Sequence, residues 1–178
     1  MKDAKHPVLV AVDFSDDSRA ALHWAAQYAA QFKLPLTILH VLHDPLDDPG
    51  FYRKDHPDPS VPMEDIARRM LKDFVTDLTT QHEGLEVLNV ASLRLVKGVP
   101  ENRIVEIAQE INAQHIVVGR QGRSRLKHIL VGSKTRAVTQ ATHLPVTSIT
   151  TRNEDQRIQD LGDDGERGER GERGEQEE

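Results

Sequence analysis

Three glycines and six bases crowd into eighteen residues, and this is where the sequence could hold an anion. Gly119-Arg120-Gln121-Gly122, nine further residues and Gly132-Ser133 carry three of the six glycines that precede residue 151. From Gly119 to Arg136 the bases are Arg120, Arg123, Arg125, Lys127, Lys134 and Arg136, with no acid among them. Glycine permits close backbone approach, so several amide N–H groups can converge on one anion. Ser133 stands where a helix would start, and a helix N-terminus favours phosphate through its unpaired N–H groups and its dipole. The same residues also suit two turns on a solvated basic face, and glycine spacing by itself leaves both readings open. The pattern is neither the P-loop, which needs Gly-Lys-Ser/Thr, nor the G-x-G-x-x-G dinucleotide fingerprint.

Asp13 is the second candidate. It closes the apolar run Val8-Leu9-Val10-Ala11-Val12 and precedes Ser15, so it fits either a ligand-binding acid at a strand end or turn chemistry before a helix. Other chemistry is poorly supplied. There is no cysteine, no Gly-x-Ser-x-Gly elbow and no pair of carboxylates that spacing brings together. Of the nine histidines, His40 and His43 flank a strand end without a third ligand at metal-binding spacing. His56, His82 and His143 read as surface residues, and Trp24, Tyr28 and Phe32 recur at helical spacing as core.

These candidates must be positioned by alternating elements. Val8 to Val12 reads as a strand buried on both faces, followed by a helix with Ser15 as N-cap. Pro35 to Leu42 is a second strand. Five of the nine prolines then crowd between Pro45 and Pro62, which reads as a long exposed loop. A helix through Ile66, Met70, Phe74 and Leu78 follows, and Leu85 to Val96 reads as a third strand. Pro100 opens a third helix, His115 to Val118 is a fourth strand ending at Gly119, Ser133 to Thr142 a fourth helix, and Pro145 to Thr150 a fifth strand. Strict β/α alternation predicts one α/β domain, with a parallel sheet, right-handed crossovers and helices on both faces. Ligands of such sheets lie beyond the carboxyl ends of the strands, where the strand order reverses.

Charge divides the chain in two. Residues 151–178 hold 11 Asp/Glu against 5 Lys/Arg and so carry the whole net charge of −6, leaving residues 1–150 neutral at 18 of each. The last 28 residues have Ile158 and Leu161 as their only sizeable apolar side chains and read as a disordered acidic Gly-Glu-Arg tail. The first 150 suffice for one domain. No apolar run approaches the roughly 18 residues of a membrane span, and a neutral body argues against nucleic acid. A cytoplasmic protein without membrane insertion is the expectation.

The chain resembles the ATP-binding branch of the universal stress proteins. The likeness runs through Val10-Ala11-Val12-Asp13-Phe14-Ser15, Leu39-His40-Val41, Gly98-Val99-Pro100, Ile116-Val117-Val118-Gly119, the G-x2-G-x9-G-S pattern and Leu144-Pro145-Val146. It implies a Rossmann-like sheet of the adenine nucleotide alpha hydrolase type, with strand order 3-2-1-4-5. It also implies ATP with Mg2+ as ligand. Val12 and Asp13 would lie near the ribose and the Mg2+-bearing phosphates, and the Val41 backbone at the adenine edge. Gly119, Arg120, Gly122, Arg123, Gly132, Ser133 and Lys134 would surround ribose and phosphates. Lys134 departs from the family, where an apolar residue often follows the serine. The resemblance further implies a homodimer through the last strand, here made polar by Thr147 and Ser148. The functional expectation is a nucleotide-dependent regulatory module with a protein partner. A slow ATPase and a nucleotide-independent scaffold are the rivals.

Overall fold

Val8–Val12 forms β1, and every one of its neighbours follows from its being apolar without alternation. A strand of this kind needs cover on both faces. In the computed structural model, which describes residues 5–43, 50–54, 56, 58–120 and 133–151, β1 lies at the centre of the sheet. It pairs in parallel with β2 (Leu36–Leu42) on one side and β4 (His115–Gly119) on the other. β3 (Ser92–Lys97) and β5 (Val146–Ile149) complete the order β3-β2-β1-β4-β5, all parallel. The expected topology is therefore present.

Alternate residues of β1 face two cores. Val8, Val10 and Val12 pack with α1 (Asp16–Phe32) and α2 (Met63–Gln81) through Ala21, Leu22, Ala25, Ala29, Phe74 and Leu78. Leu9, with Leu39 and Ile116, packs against α3 (Pro100–Glu110) and α4 (Ser133–Ala141) through Ile104, Ile107, Ala108 and Val138. Each fully buried Leu or Ile contributes about 1.5–3 kcal/mol relative to exposure.

Two expectations are corrected. The third strand starts at Ser92, and Glu86–Leu88 is a 3-10 turn instead. Leu85 and Leu88, three apart, both face the core, and that is the 3-10 period, closed by Leu88 N–H on Leu85 O at 3.0 Å. Val90, which a strand would have used, is 82% exposed. The aromatics of α1 are the second case. The fully buried stripe is the small one, Ala21, Leu22, Ala25, Ala26 and Ala29, which lets helix and sheet approach closely. Trp24, Tyr28 and Phe32 lie on the flank, ring upon ring, and Phe32 is 51% exposed.

His115 meets this aromatic flank edge-on from β4 and hydrogen-bonds Thr147 Oγ1 through Nε2 at 2.7 Å. Burial lowers its pKa. His23 is lowered too, by burial first and by His82 stacked 3.9 Å away second. Folded-state values below the ordinary 6.5 mean that the unfolded chain takes up protons first as pH falls. This contribution to stability is complete above about pH 6.5 and is lost as pH falls through the lowered folded values. Melting temperature should thus fall between pH 7.5 and 5.5, and a His23→Gln/His115→Gln double variant should show a flatter profile over that range. An unchanged slope in the double variant contradicts the assignment.

Candidate functional site

β1 stops being apolar at Asp13, and there the chain makes a tight polar turn. Asp13 Oδ1 accepts from Ser15 N–H at 3.1 Å and from Ser15 Oγ–H at 2.5 Å, while Ser15 Oγ accepts from Ser18 N–H and caps α1. The turn chemistry weighed for Asp13 is therefore present, yet it occupies one oxygen. Among the described residues no hydrogen bond to Oδ2 is found.

Phe14, between them, has φ 67°, a left-handed conformation costly for a residue of this size. Its ring is clamped by His40 at 4.3 Å, Phe74 at 5.5 Å and Phe51 at 6.3 Å. His40 is itself 1% exposed. A carbonyl can only accept, so its Nδ1–H donates to Val12 O at 2.8 Å, and Nε2 accepts from Tyr52 O–H at 2.8 Å. A buried polar pair thus fixes the peptide that leads into Asp13.

Tyr52 corrects the expectation of an exposed loop between Pro45 and Pro62. Phe51–Arg53 is a 3-10 turn, and Tyr52, 1% exposed, packs with Leu42, Ile66 and Ala67. The adjacent aromatics Phe51 and Tyr52 in a stretch rich in proline and aspartate were the available signal. Residues 44–49, 55 and 57 lie outside the described residues.

Gly119 ends β4 beside this turn. A Cβ there would come 2.8 Å from Ser18 N and 2.9 Å from Asp17 C. Its glycine is required by space, because the start of α1 approaches the strand end so closely. Asp17, buried in the first turn of α1, accepts from Thr151 N–H and Oγ–H, both at 2.9 Å, and ties down the chain after β5. Arg120 is buried, donates its N–H to Ile149 O, and its Nε has no hydrogen-bond partner among the described residues. Thr135 of α4, which sequence reasoning missed, donates from Oγ1 to Gly119 O at 3.0 Å. That bond sets the start of α4 against the end of β4.

The structure brings Val12, Asp13, Val41, Gly119, Arg120, Ser133 and Lys134 to the carboxyl ends of β1, β2 and β4 or the start of α4. Val12 and Val41 are buried, whereas Ser133 and Lys134 are exposed. Lys134 Nζ lies 3.0 Å from His43 Nε2, and His43 Nδ1 lies 3.0 Å from Val41 O. A cavity of about 330 Å³ opens beside them, lined by Leu42, His43, Pro62, Met63, Glu64 and Lys97. Gly122, Arg123, Arg125, Lys127 and Gly132 fall in residues 121–132, outside the described residues.

Such a sheet, with a polar turn and a helix N-terminus meeting where strand order reverses, defines a Rossmann-like α/β domain with its cleft at the strand ends. The chain belongs to the universal stress protein family, whose model matches residues 5–149. A universal stress protein of Mycobacterium tuberculosis is 31% identical over 157 residues, covering 88% of this chain and 51% of its own length. The chain spans about half the length of such mycobacterial relatives. Universal stress protein YxiE of Bacillus subtilis is 30% identical, covering 78% of this chain and 95% of its own. Among solved structures, a universal stress protein in complex with cAMP superposes with TM-score 0.55 at 23% identity, over 84% of this chain and all of that one. One from Archaeoglobus fulgidus in complex with dAMP gives 0.53 at 24%, over 82% and 98%. These two likenesses establish the fold. No helix among the described residues is long and apolar enough to cross a membrane.

Two substitutions probe the site's supports. Gly119→Ala should destabilise the protein by about 1–3 kcal/mol through overpacking against α1, measured by urea unfolding. A neutral result would mean that the contact relaxes freely. Tyr52→Phe removes the O–H bonded to the buried His40 Nε2 and should cost about 1–3 kcal/mol in the same assay.

Proposed function

We propose that the cleft at the carboxyl end of β1 binds ATP with Mg2+, and that nucleotide occupancy is what this chain reports to a partner. The observation that carries the reading is the meeting of the Asp13 turn, Gly119 and the first turn of α4 at one strand reversal. The exposed start of α4 presents first-turn N–H groups that lack intrahelical partners and the positive end of the helix dipole, which suit phosphate. Asp13 Oδ2 suits a ribose hydroxyl or a water on Mg2+. The metal would neutralise phosphate charge there, and Asp13 would be its protein anchor.

The relatives bound to cAMP and dAMP support an adenine nucleotide as the ligand class. Glycine and base chemistry at Gly122, Arg123 and Gly132 is part of the same reading. The regulatory form would be a homodimer through β5, which pairs with a single neighbour in the sheet order. That dimer would engage a protein partner when nucleotide is bound.

A ligand that binds only the folded state stabilises it by about 2.7 kcal/mol at a hundredfold excess over Kd. Mg-ATP should therefore raise the melting temperature by several degrees, and Gly132→Val should abolish the shift while leaving the unliganded melting temperature in place. The absence of any shift at millimolar ATP overturns the reading.

A further inference from the structure

Lys134, the second residue of α4, is exposed at the first turn of that helix. Among the described residues no carboxylate pairs with it. It meets His43, 91 residues earlier, just past the end of β2. The direction of the hydrogen bonds follows from the groups involved. An ammonium only donates, so Nζ–H points at His43 Nε2, and Nδ1–H then donates to Val41 O. One neutral tautomer of His43 serves both bonds.

Sheet order gives this contact its meaning. β1 lies between β2 and β4, and α4 follows β4. The bridge therefore links the two sides of the cleft that flank Asp13. It also places a full positive charge on a neutral imidazole, an acceptor weaker than an anionic oxygen.

We propose that Lys134 is the residue through which this chain selects nucleotides by phosphate number, exchanging its bond to His43 for a charge-assisted bond to a β- or γ-phosphate oxygen. The proposal rests on the adenine nucleotide reading above and adds its specificity. Nζ is drawn to His43, just past the end of β2. A single phosphate seated on the first-turn amides of α4 stays short of it, and a chain of two or three reaches it. Release of Lys134 breaks its bond to His43 Nε2, so phosphate number is also felt at the Val41 carbonyl.

The test is calorimetric titration of adenosine, AMP and ATP into the wild-type chain, Lys134→Met and Lys134→Arg, with the His43 imidazole nitrogens followed by NMR. Lys134→Met should weaken ATP by about tenfold, the worth of one charge-assisted bond. It should leave AMP and adenosine unchanged, and Lys134→Arg should restore the ATP preference. In the wild type, ATP should move the Nε2 resonance of His43, whereas AMP should leave it in place. A loss shared equally by AMP and ATP, or a His43 signal indifferent to ATP, overturns the proposal and leaves adenylate binding standing. Failure of the wild type to bind any adenylate overturns both. Because Lys134 is exposed, the melting temperature of each variant should match the wild type, and a variant that unfolds is replaced by Lys134→Gln, read for the same ATP-to-AMP ratio.

Discussion

The centre of the sheet must stay dry on both faces, and the polar groups at the end of β1 are arranged around that constraint. β1 has a strand on each side and a helical layer above and below, so its apolar side chains are taken up by packing. Chemistry can begin only where the strand stops. It stops at Asp13, between the ends of β2 and β4, which is also where the connections leave the sheet in opposite directions. A cleft at that point is a consequence of the topology, and the residues lining it are those that happen to follow strands.

The strand end is held with more care than a loop requires. Phe14 occupies a strained backbone conformation, and its ring is fixed by His40, Phe51 and Phe74. His40 fixes the Val12 carbonyl on one side and accepts a hydrogen bond from Tyr52 O–H on the other. Strain persists only where the surroundings over-determine it, and such positions cluster at binding sites. On the opposite flank Gly119 lets the start of α1 lie against β4, and Thr135 anchors α4 to the same strand end. The turn and the helix N-terminus are thereby set in one rigid frame.

Much of this frame was legible in the residues. The unalternating run Val8 to Val12 announced a central strand, Ser15 capped α1 as its hydroxyl suggests, and Pro100 opened α3. What stayed hidden depended on partners far away in sequence. His40 reads as a polar residue in an apolar strand, and only the arrival of Tyr52 from a proline-rich stretch makes it a core residue. Phe32 shares the spacing of Trp24 and Tyr28, but alanines one position away took the buried stripe. Leu85 and Leu88 carry a period of three that a strand reading mistakes for alternation. Asp17, in the first turn of α1, accepts from Thr151, a partner 134 residues away that no local pattern shows.

The proposed nucleotide site lies at one location, the carboxyl end of β1. Hydrogen exchange of the full chain with and without saturating Mg-ATP reads that location directly. Protection should concentrate in residues 13–18, 41–43 and 133–136, with the amino ends of the strands, near residues 34–36 and 113–115, unchanged. Protection confined to the amino ends, or none at any strand end while ATP is bound, would contradict it.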